Sequence, residues 1–295
     1  MEFIRDIHAR KAAAGQPVVS FEFFPPKTEE GDRALLEKTI PALKALQPDY
    51  CSVTYGAGGG TREKTLMIVD RIQREHGLTA MSHLTCVNAT AEELRGVLLE
   101  AWRLGVRNIL ALRGDPPGGA PFTRTEGGFE YSYQLVRFIK EMGGFGIGTA
   151  GFPEGHIACR EGREADWDHL KNKIDCGADF VLTQLFFNNA DFFRFRDYLR
   201  KKGVTVPICP GIIPILSAHQ IKRFTALCGA DLPAPLLASL DKYINDDEGC
   251  AEFGIEYATR QCAELLRAGA PGLHFYTLNK ARSTAAVVRN LNLAH

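Results

Sequence analysis

The stretch Val18-Val19-Ser20-Phe21-Glu22-Phe23-Phe24-Pro25-Pro26 reads as a strand, and its exit into two prolines separates two α/β architectures. A doubly wound dinucleotide-binding sheet places G-x-G-x-x-G directly after its first strand, and no such fingerprint stands here. A glycine-rich run, Gly56-Ala57-Gly58-Gly59-Gly60-Thr61, comes only after the second strand and has no well-placed acidic ribose ligand behind it. The sequence therefore argues against a Rossmann domain.

Outward from Val18–Phe24, short β-rich runs alternate with amphipathic helical stretches along the whole chain. Further strands are expected at Tyr50–Tyr55, Ala80–Cys86, Asn108–Arg113, Gly146–Phe152, Phe180–Phe187, Val206–Ile213 and Leu273–Leu278. Helices are expected at Arg33–Leu46, Glu63–Glu75, Ala91–Leu104, Tyr133–Met142, Asp166–Cys176, Ala190–Lys201, Ser217–Leu227 and Ala281–Leu291. An additional helical pair, Ala234–Tyr243 and Ala251–Ala268, interrupts the rhythm as an insertion would. This pattern predicts an α/β protein: a single (β/α)8 TIM barrel over residues 1–295, with extra helices inserted before the last strand.

A hydrophobic content of 45% with 24% charged residues is enough for a sizeable core. Thirty-five Lys and Arg balance thirty-five Asp and Glu, so no net field exists to hold a polyanion, and nucleic acid is not expected as a partner. The start, Met1–Asp6, lacks a basic region followed by an apolar run, and no apolar stretch of about 18 residues occurs. A cytoplasmic location without membrane association is expected. The eight cysteines show neither C-x-x-C pairs nor Cys/His zinc spacing, so no disulfide frame and no metal site are expected. Cys51, Cys86 and Cys209 read as small core hydrophobes.

A barrel enzyme builds its site at the C-terminal ends of its strands, which directs attention to polar residues ending the apolar runs. Glu22, set among three phenylalanines, should lose hydration and favour its neutral acid, suiting it to proton donation near neutral pH; its alternative is a structural ion pair. Asp115 follows Arg113-Gly114, where glycine lets the backbone approach a ligand and arginine offers a planar cation; its alternative is a turn cap. Gln184 either reads a ligand or bonds neighbouring backbone. His83 and His156 carry weak signals singly. Asp166, His169 and Lys173 share one helical face that could be merely solvated. Phe192, Phe193 and Phe195 are expected to pack against the barrel.

Seven segments, in order, resemble the 5,10-methylenetetrahydrofolate reductase family. They are Phe21-Glu22-Phe23-Phe24-Pro25-Pro26-Lys27, Val53-Thr54-Tyr55-Gly56-Ala57, His83-Leu84-Thr85-Cys86, Leu112-Arg113-Gly114-Asp115, Pro153-Glu154-Gly155-His156, Thr183-Gln184-Leu185-Phe186-Phe187 and Gly272-Leu273-His274-Phe275-Tyr276-Thr277-Leu278-Asn279. The resemblance implies a barrel that binds FAD non-covalently, takes hydride from NADH or NADPH and reduces methylenetetrahydrofolate to 5-methyltetrahydrofolate. It implies Glu22 as proton donor to N10 and Asp115 as a charge beside flavin and pterin. The flavin site would comprise Thr54, Tyr55, Ala57, His83, Arg113, Gly114, Asp115, Tyr131, Ser132, His156, Asp166, His169 and Lys173. Folate would be held by Gln184, Gln220 and Lys280 beside Glu22 and Asp115, and Phe224 would stack on the nicotinamide.

Lys280 stands where the family usually carries Arg, turning a bidentate clamp into a point charge. Phe152 replaces a common Tyr, Ile157 a common Pro and Asn172 a basic residue. The sequence ends at His295, which suits a bacterial-type chain of the catalytic domain alone, and homo-oligomers are common among such relatives. Its scattered cysteines do not suit an iron–sulfur cluster of its own. Two alternatives are another flavin barrel of the proline-dehydrogenase kind, against which Glu22 in its Phe-rich strand argues, and a non-catalytic flavin or folate carrier, against which the joint presence of Glu22, Asp115 and Gln184 argues.

Overall fold

Eight runs rich in β-branched and aromatic residues become the staves of one sheet. The computed structural model describes residues 1–55, 62–116, 118, 120 and 122–294. Its strands are β1 (Val18–Phe23), β2 (Tyr50–Val53), β3 (Ala80–Thr85), β4 (Asn108–Leu112), β5 (Gly146–Gly151), β6 (Phe180–Leu185), β7 (Ile208–Ile212) and β8 (Gly272–Tyr276). All neighbouring pairs are parallel, and β8 returns to β1, closing the barrel. Strands covered on both faces need apolar residues at nearly every position, which explains their uninterrupted burial. The fold expectation is met, and each expected strand occurs at its place.

The outer helices are α2 (Glu29–Ala34) and α3 (Ile40–Lys44), α4 (Arg62–His76), α5 (Ala91–Arg103), α6 (Ser132–Met142), α7 (Arg163–Asp175), α8 (Asn189–Lys201), α9 (Ala218–Cys228) and α12 (Ala281–Asn290). The expected helix Arg33–Leu46 is instead two pieces joined by a π-helical turn, Leu35–Thr39, in which Ile40 N–H bonds Leu35 O. The cause lies in Pro41, whose missing N–H and bulky ring do not fit regular α-helical bonding. Phe192 and Phe195 are buried and Phe193 packs against the core, as expected. Cys51, Cys86 and Cys209 are buried.

Helix α1 (Ile4–Ala13) has no counterpart among the helices expected from sequence. Its Ile4 and Ile7 pack with Val18, Tyr50, Met81 and Phe180, stopping the N-terminal end of the barrel. Asn108, opening β4, holds it in place by accepting from Ile4 N–H at 2.9 Å and donating to Glu2 O at 3.0 Å.

The inserted pair is α10 (Ala234–Lys242) and α11 (Asp247–Arg267). They make a second core with Leu185, Phe187, Ile213 and Ile215 at the ends of β6 and β7. Gln261 donates to Phe186 O at 2.8 Å and Tyr257 to Phe187 O at 2.6 Å, so α11 satisfies carbonyls that β6 no longer pairs. The insertion thus walls one side of the barrel mouth. Among the described residues no helix is long and apolar enough to cross a membrane.

Candidate active site

The alternation of a strand places Ser20 and Glu22 on the same side of β1, facing the barrel interior. Glu22 is 5% exposed, and its Oε2 lies 3.2 Å from His274 Nε2 on β8 and 3.4 Å from His83 Nε2 on β3. Only the His274 contact is a hydrogen bond. Burial holds the His83 imidazole down at about 4; the Glu22 carboxylate opposes this and His274 adds to it. The basic residues in ion-pair range of Glu22 are these two imidazoles, which pair with it as ions only when protonated; among the described residues no Lys or Arg does so.

The end of β8 locks the carbonyl side of this residue. Thr277 Oγ1 donates to Glu22 O at 2.6 Å, and Asn279 brackets Phe24, accepting from its N–H at 2.9 Å and donating to its carbonyl at 2.8 Å. Leu278 and Asn279 both take left-handed backbone to make that bracket. Lys280 follows as an exposed residue ahead of α12.

On the far side, Tyr276 donates its hydroxyl to Thr183 O at 2.6 Å, and Gly211 N–H bonds Thr183 Oγ1 at 2.9 Å. The β6–β7 register shifts at this point. Gly211 is required here, since a Cβ would sit 2.2 Å from Thr183 O. Gln184 then turns its own Oε1 to Leu185 N–H at 2.9 Å and lines a narrow crevice with Phe152, Glu154, Leu185 and Cys228. Of the two sequence readings of Gln184, the bond to neighbouring backbone is the one seen here. Burial pushes the neighbouring Glu154 carboxyl up to about 7. Gln220 and Phe224 lie one turn apart on α9, with Phe224 packed on the insertion core.

After β4 the chain turns at Gly114, whose φ is +82°. Arg113 lies over the Phe122 ring at 5.1 Å. Asp115 is exposed, and no hydrogen bond ties its carboxylate among the described residues. Thr54 and Tyr55 leave β2 at the same end; Thr54 O accepts from Thr65 Oγ1, and the Tyr55 hydroxyl meets the Arg62 guanidinium. Ala57 and the rest of the glycine run lie outside the described residues. Tyr131, exposed and stacked on Tyr133, precedes Ser132, the first residue of α6.

The face of α7 proves only partly solvated. Lys173 turns inward to donate to Ala150 O at 2.7 Å, and burial lowers its ammonium to about 8. Burial raises Asp166, opposed by Lys173 and His156. His156 Nδ1 accepts from Ala158 N–H at 3.0 Å, and its ring meets Phe152 edge-on. Burial and the Arg113 charge shift this imidazole toward its neutral form, whose proton, with Nδ1 accepting, belongs on Nε2. His169 is exposed. Cys159, Asp166 and His169 bring ligand atoms within 4.8 Å of one another, a grouping that sequence spacing did not signal.

The mouth therefore divides chemically. One side holds a buried acid flanked by imidazoles. The other gathers Arg113, Lys173 and His156 with the N-terminal end of α6, a setting suited to a diphosphate. Thr85 Oγ1 at the end of β3 and Thr149 Oγ1 on β5 are buried without a hydrogen-bond partner among the described residues. Sequence reasoning missed His274, Ser20 and Tyr276; a polar residue alternating with Leu273 and Phe275 was the available signal.

The sequence profile of the family described as methylenetetrahydrofolate reductase matches residues 7–292. The Arabidopsis thaliana protein named methylenetetrahydrofolate reductase (NADH) 1 is 40% identical over 290 residues, covering 95% of this chain and 49% of that protein. The 5,10-methylenetetrahydrofolate reductase of Escherichia coli is 38% identical over 279 residues, 95% of this chain and 92% of that protein. The chain spans about half the length of the plant relatives it matches. Identity to plant and bacterial proteins is nearly equal, so it does not single out a bacterial type. A solved Clostridium thermocellum protein that binds two copies of 5-methyl-5,6,7,8-tetrahydrofolic acid has the same fold, with TM-score 0.60 at 17% identity over 97% of this chain and 96% of that one.

Proposed function

Because this chain belongs to the methylenetetrahydrofolate reductase family, we propose that it reduces 5,10-methylenetetrahydrofolate to 5-methyltetrahydrofolate with electrons from NAD(P)H carried by non-covalent FAD. Residues 1–295 would act as one flavin-binding unit. The observation that carries this reading is the buried Glu22 carboxyl at the strand ends, facing imidazoles rather than a neutralising Lys or Arg.

The flavin would supply reversible hydride chemistry between nicotinamide and folate. The chain's own groups fit that cofactor: Arg113 and Lys173 suit its diphosphate, and Thr85, Thr149 and His83 offer buried polar atoms without hydrogen-bond partners among the described residues. His156 would donate from Nε2. Glu22 as the neutral acid would give its proton to N10 of the folate, opening the five-membered ring. Exclusion of water around Glu22 keeps that proton for the substrate. Asp115, exposed at the turn after β4, would face the cationic character that develops on the folate. Gln184 would exchange its bond to Leu185 N–H for the pterin, and Lys280 would meet the folate carboxylates as a single charge.

The test is anaerobic. A yellow protein should be bleached by NADH or NADPH and recover its colour with methylenetetrahydrofolate, and running each nucleotide separately identifies the donor. Glu22→Gln should leave bleaching within about twofold and slow recovery by at least about 100-fold, the scale of general acid catalysis. Equal slowing of both half-reactions would give Glu22 a structural role instead.

A further inference from the structure

We propose that Ser20 and His274 form a positioning pair that decides which oxygen of Glu22 carries the acidic proton. This rests on the reading of Glu22 as proton donor.

Barrel closure pairs Ser20 with His274 in register, across the β1–β8 seam. Among the described residues Ser20 Oγ forms two hydrogen-bond contacts, to His274 Nδ1 at 2.8 Å and to Leu273 O at 3.4 Å. O–H···O bonds are seldom longer than about 3.0 Å, so the hydroxyl proton belongs to the ring nitrogen. Nδ1 is then the lone-pair nitrogen, and the neutral ring carries its proton on Nε2. That Nε2–H points at Glu22 Oε2, 3.2 Å away.

The consequence falls on the carboxyl group. An oxygen accepting an N–H is a poor place for a second proton, because O–H would confront N–H. His83 Nε2 lies near the same oxygen at 3.4 Å, and no hydrogen bond reaches Oε1 among the described residues. The acidic proton is directed to Oε1, the oxygen left for substrate. His274 is fully buried, stacked near Tyr50 and edge-on to Tyr276, so its ring cannot swing away without disturbing both. Neither Ser20 nor His274 needs to touch substrate. Their part is to hold Glu22 in one proton arrangement before substrate arrives.

The test reads the ring directly. In the flavin-loaded protein labelled with 15N-histidine, with the His274 signals assigned by their loss in His274→Gln, the Nε2–H tautomer should dominate; Ser20→Ala should introduce the Nδ1–H form. In stopped flow, His274→Phe should slow recovery of flavin colour by methylenetetrahydrofolate about tenfold, while NAD(P)H bleaching stays within twofold. His274→Gln, whose amide N–H can take the place of Nε2–H, should regain most of the loss. A wild-type Nδ1–H tautomer, unchanged recovery in the Phe variant, or a Gln variant no better than Phe would overturn the proposal. Wild-type protein that bleaches but never recovers with folate would sink the activity reading, and the tautomer in wild type and Ser20→Ala would still decide the pair.

Discussion

Gly114→Ala is a perturbation whose cost can be worked out from local geometry. The residue has φ +82°, and a left-handed conformation costs a residue with a Cβ about 1–2 kcal/mol. The added Cβ would lie 2.7 Å from Val87 Cγ1 and 2.8 Å from Thr85 Cβ, well inside the roughly 3.5–4.0 Å optimum for carbon contacts. Neither neighbour yields freely: Val87 N–H bonds Arg113 O at 2.9 Å, and Thr85 is the buried last residue of β3. Overpacking of this kind adds roughly 1–3 kcal/mol, giving about 2–5 kcal/mol in all. Gly127→Ala supplies the comparison, having φ +70° and nothing within 4 Å, so only the backbone cost applies. Urea unfolding of the two variants should show the Gly114 variant losing about 1–3 kcal/mol more. The same variant should hold flavin less tightly, since Arg113 and Asp115 flank the strained bond. Equal losses in the two variants would refute the close-approach argument.

Asp115→Asn should raise the flavin reduction potential and slow hydride delivery to folate, with a shift below about 1 kcal/mol because solvent screens the exposed carboxylate; dye-referenced redox titration with single-turnover folate reduction reads both, and no change in either would remove Asp115 from the mechanism. Lys173, lowered to about 8 by burial, is charged below that pH and loses its charge above it. Flavin affinity of the flavin-free protein should therefore be steady up to about pH 7, fall about twofold by pH 8 and roughly tenfold by pH 9, a dependence that Lys173→Met should abolish; equal wild-type affinity at pH 7 and 9 would exclude Lys173 from flavin binding. Glu154 is raised to about 7 from an ordinary 4.5, so the folded chain keeps a proton that the unfolded chain releases first. Its contribution to stability is fully present below about pH 4.5 and is lost as pH rises through about 7. Glu154→Gln should accordingly gain thermal stability over the parent at pH 8 and little at pH 4.5, and a pH-independent difference in melting temperature would contradict the shift.

The strands were legible because a parallel barrel needs apolar residues on both faces, and short runs rich in Val, Ile and Phe separated by helical periods have few other uses. Their C-terminal ends were read one or two residues long where strand-forming residues continue past the last pairing, as at Thr54-Tyr55 and Phe186-Phe187. Helix α1 was missed because its apolar contribution is small: Ile4 and Ile7 do the packing, and buried Lys11 breaks the stripe while pairing Asp49 at 3.2 Å. The π-turn before Pro41 was also hidden. The proline announces trouble in a helix, but only the packing of Leu35, Leu36 and Ile40 shows that a widened turn resolves it.

The site divides along the same line between local and distant information. A carboxylate among phenylalanines marks Glu22 from seven residues of sequence, and glycine between Arg113 and Asp115 marks the β4 turn from three. What surrounds Glu22 is not local: His83 arrives from two strands away, and His274 is 252 positions along the chain. Only closure of the sheet makes β8 the neighbour of β1, and only the register of that seam sets His274 opposite Ser20 rather than opposite Phe21. Because side chains alternate faces along a strand, a slip of one residue there would turn the imidazole out of the barrel and bring Leu273 or Phe275 in. The Asn279 bracket on Phe24 and the Thr277 bond to Glu22 O fix that register from the C-terminal side. The family's Tyr-Thr-Leu-Asn run therefore has a structural task beside the acid, distinct from the contact to substrate that Lys280 next to it would make.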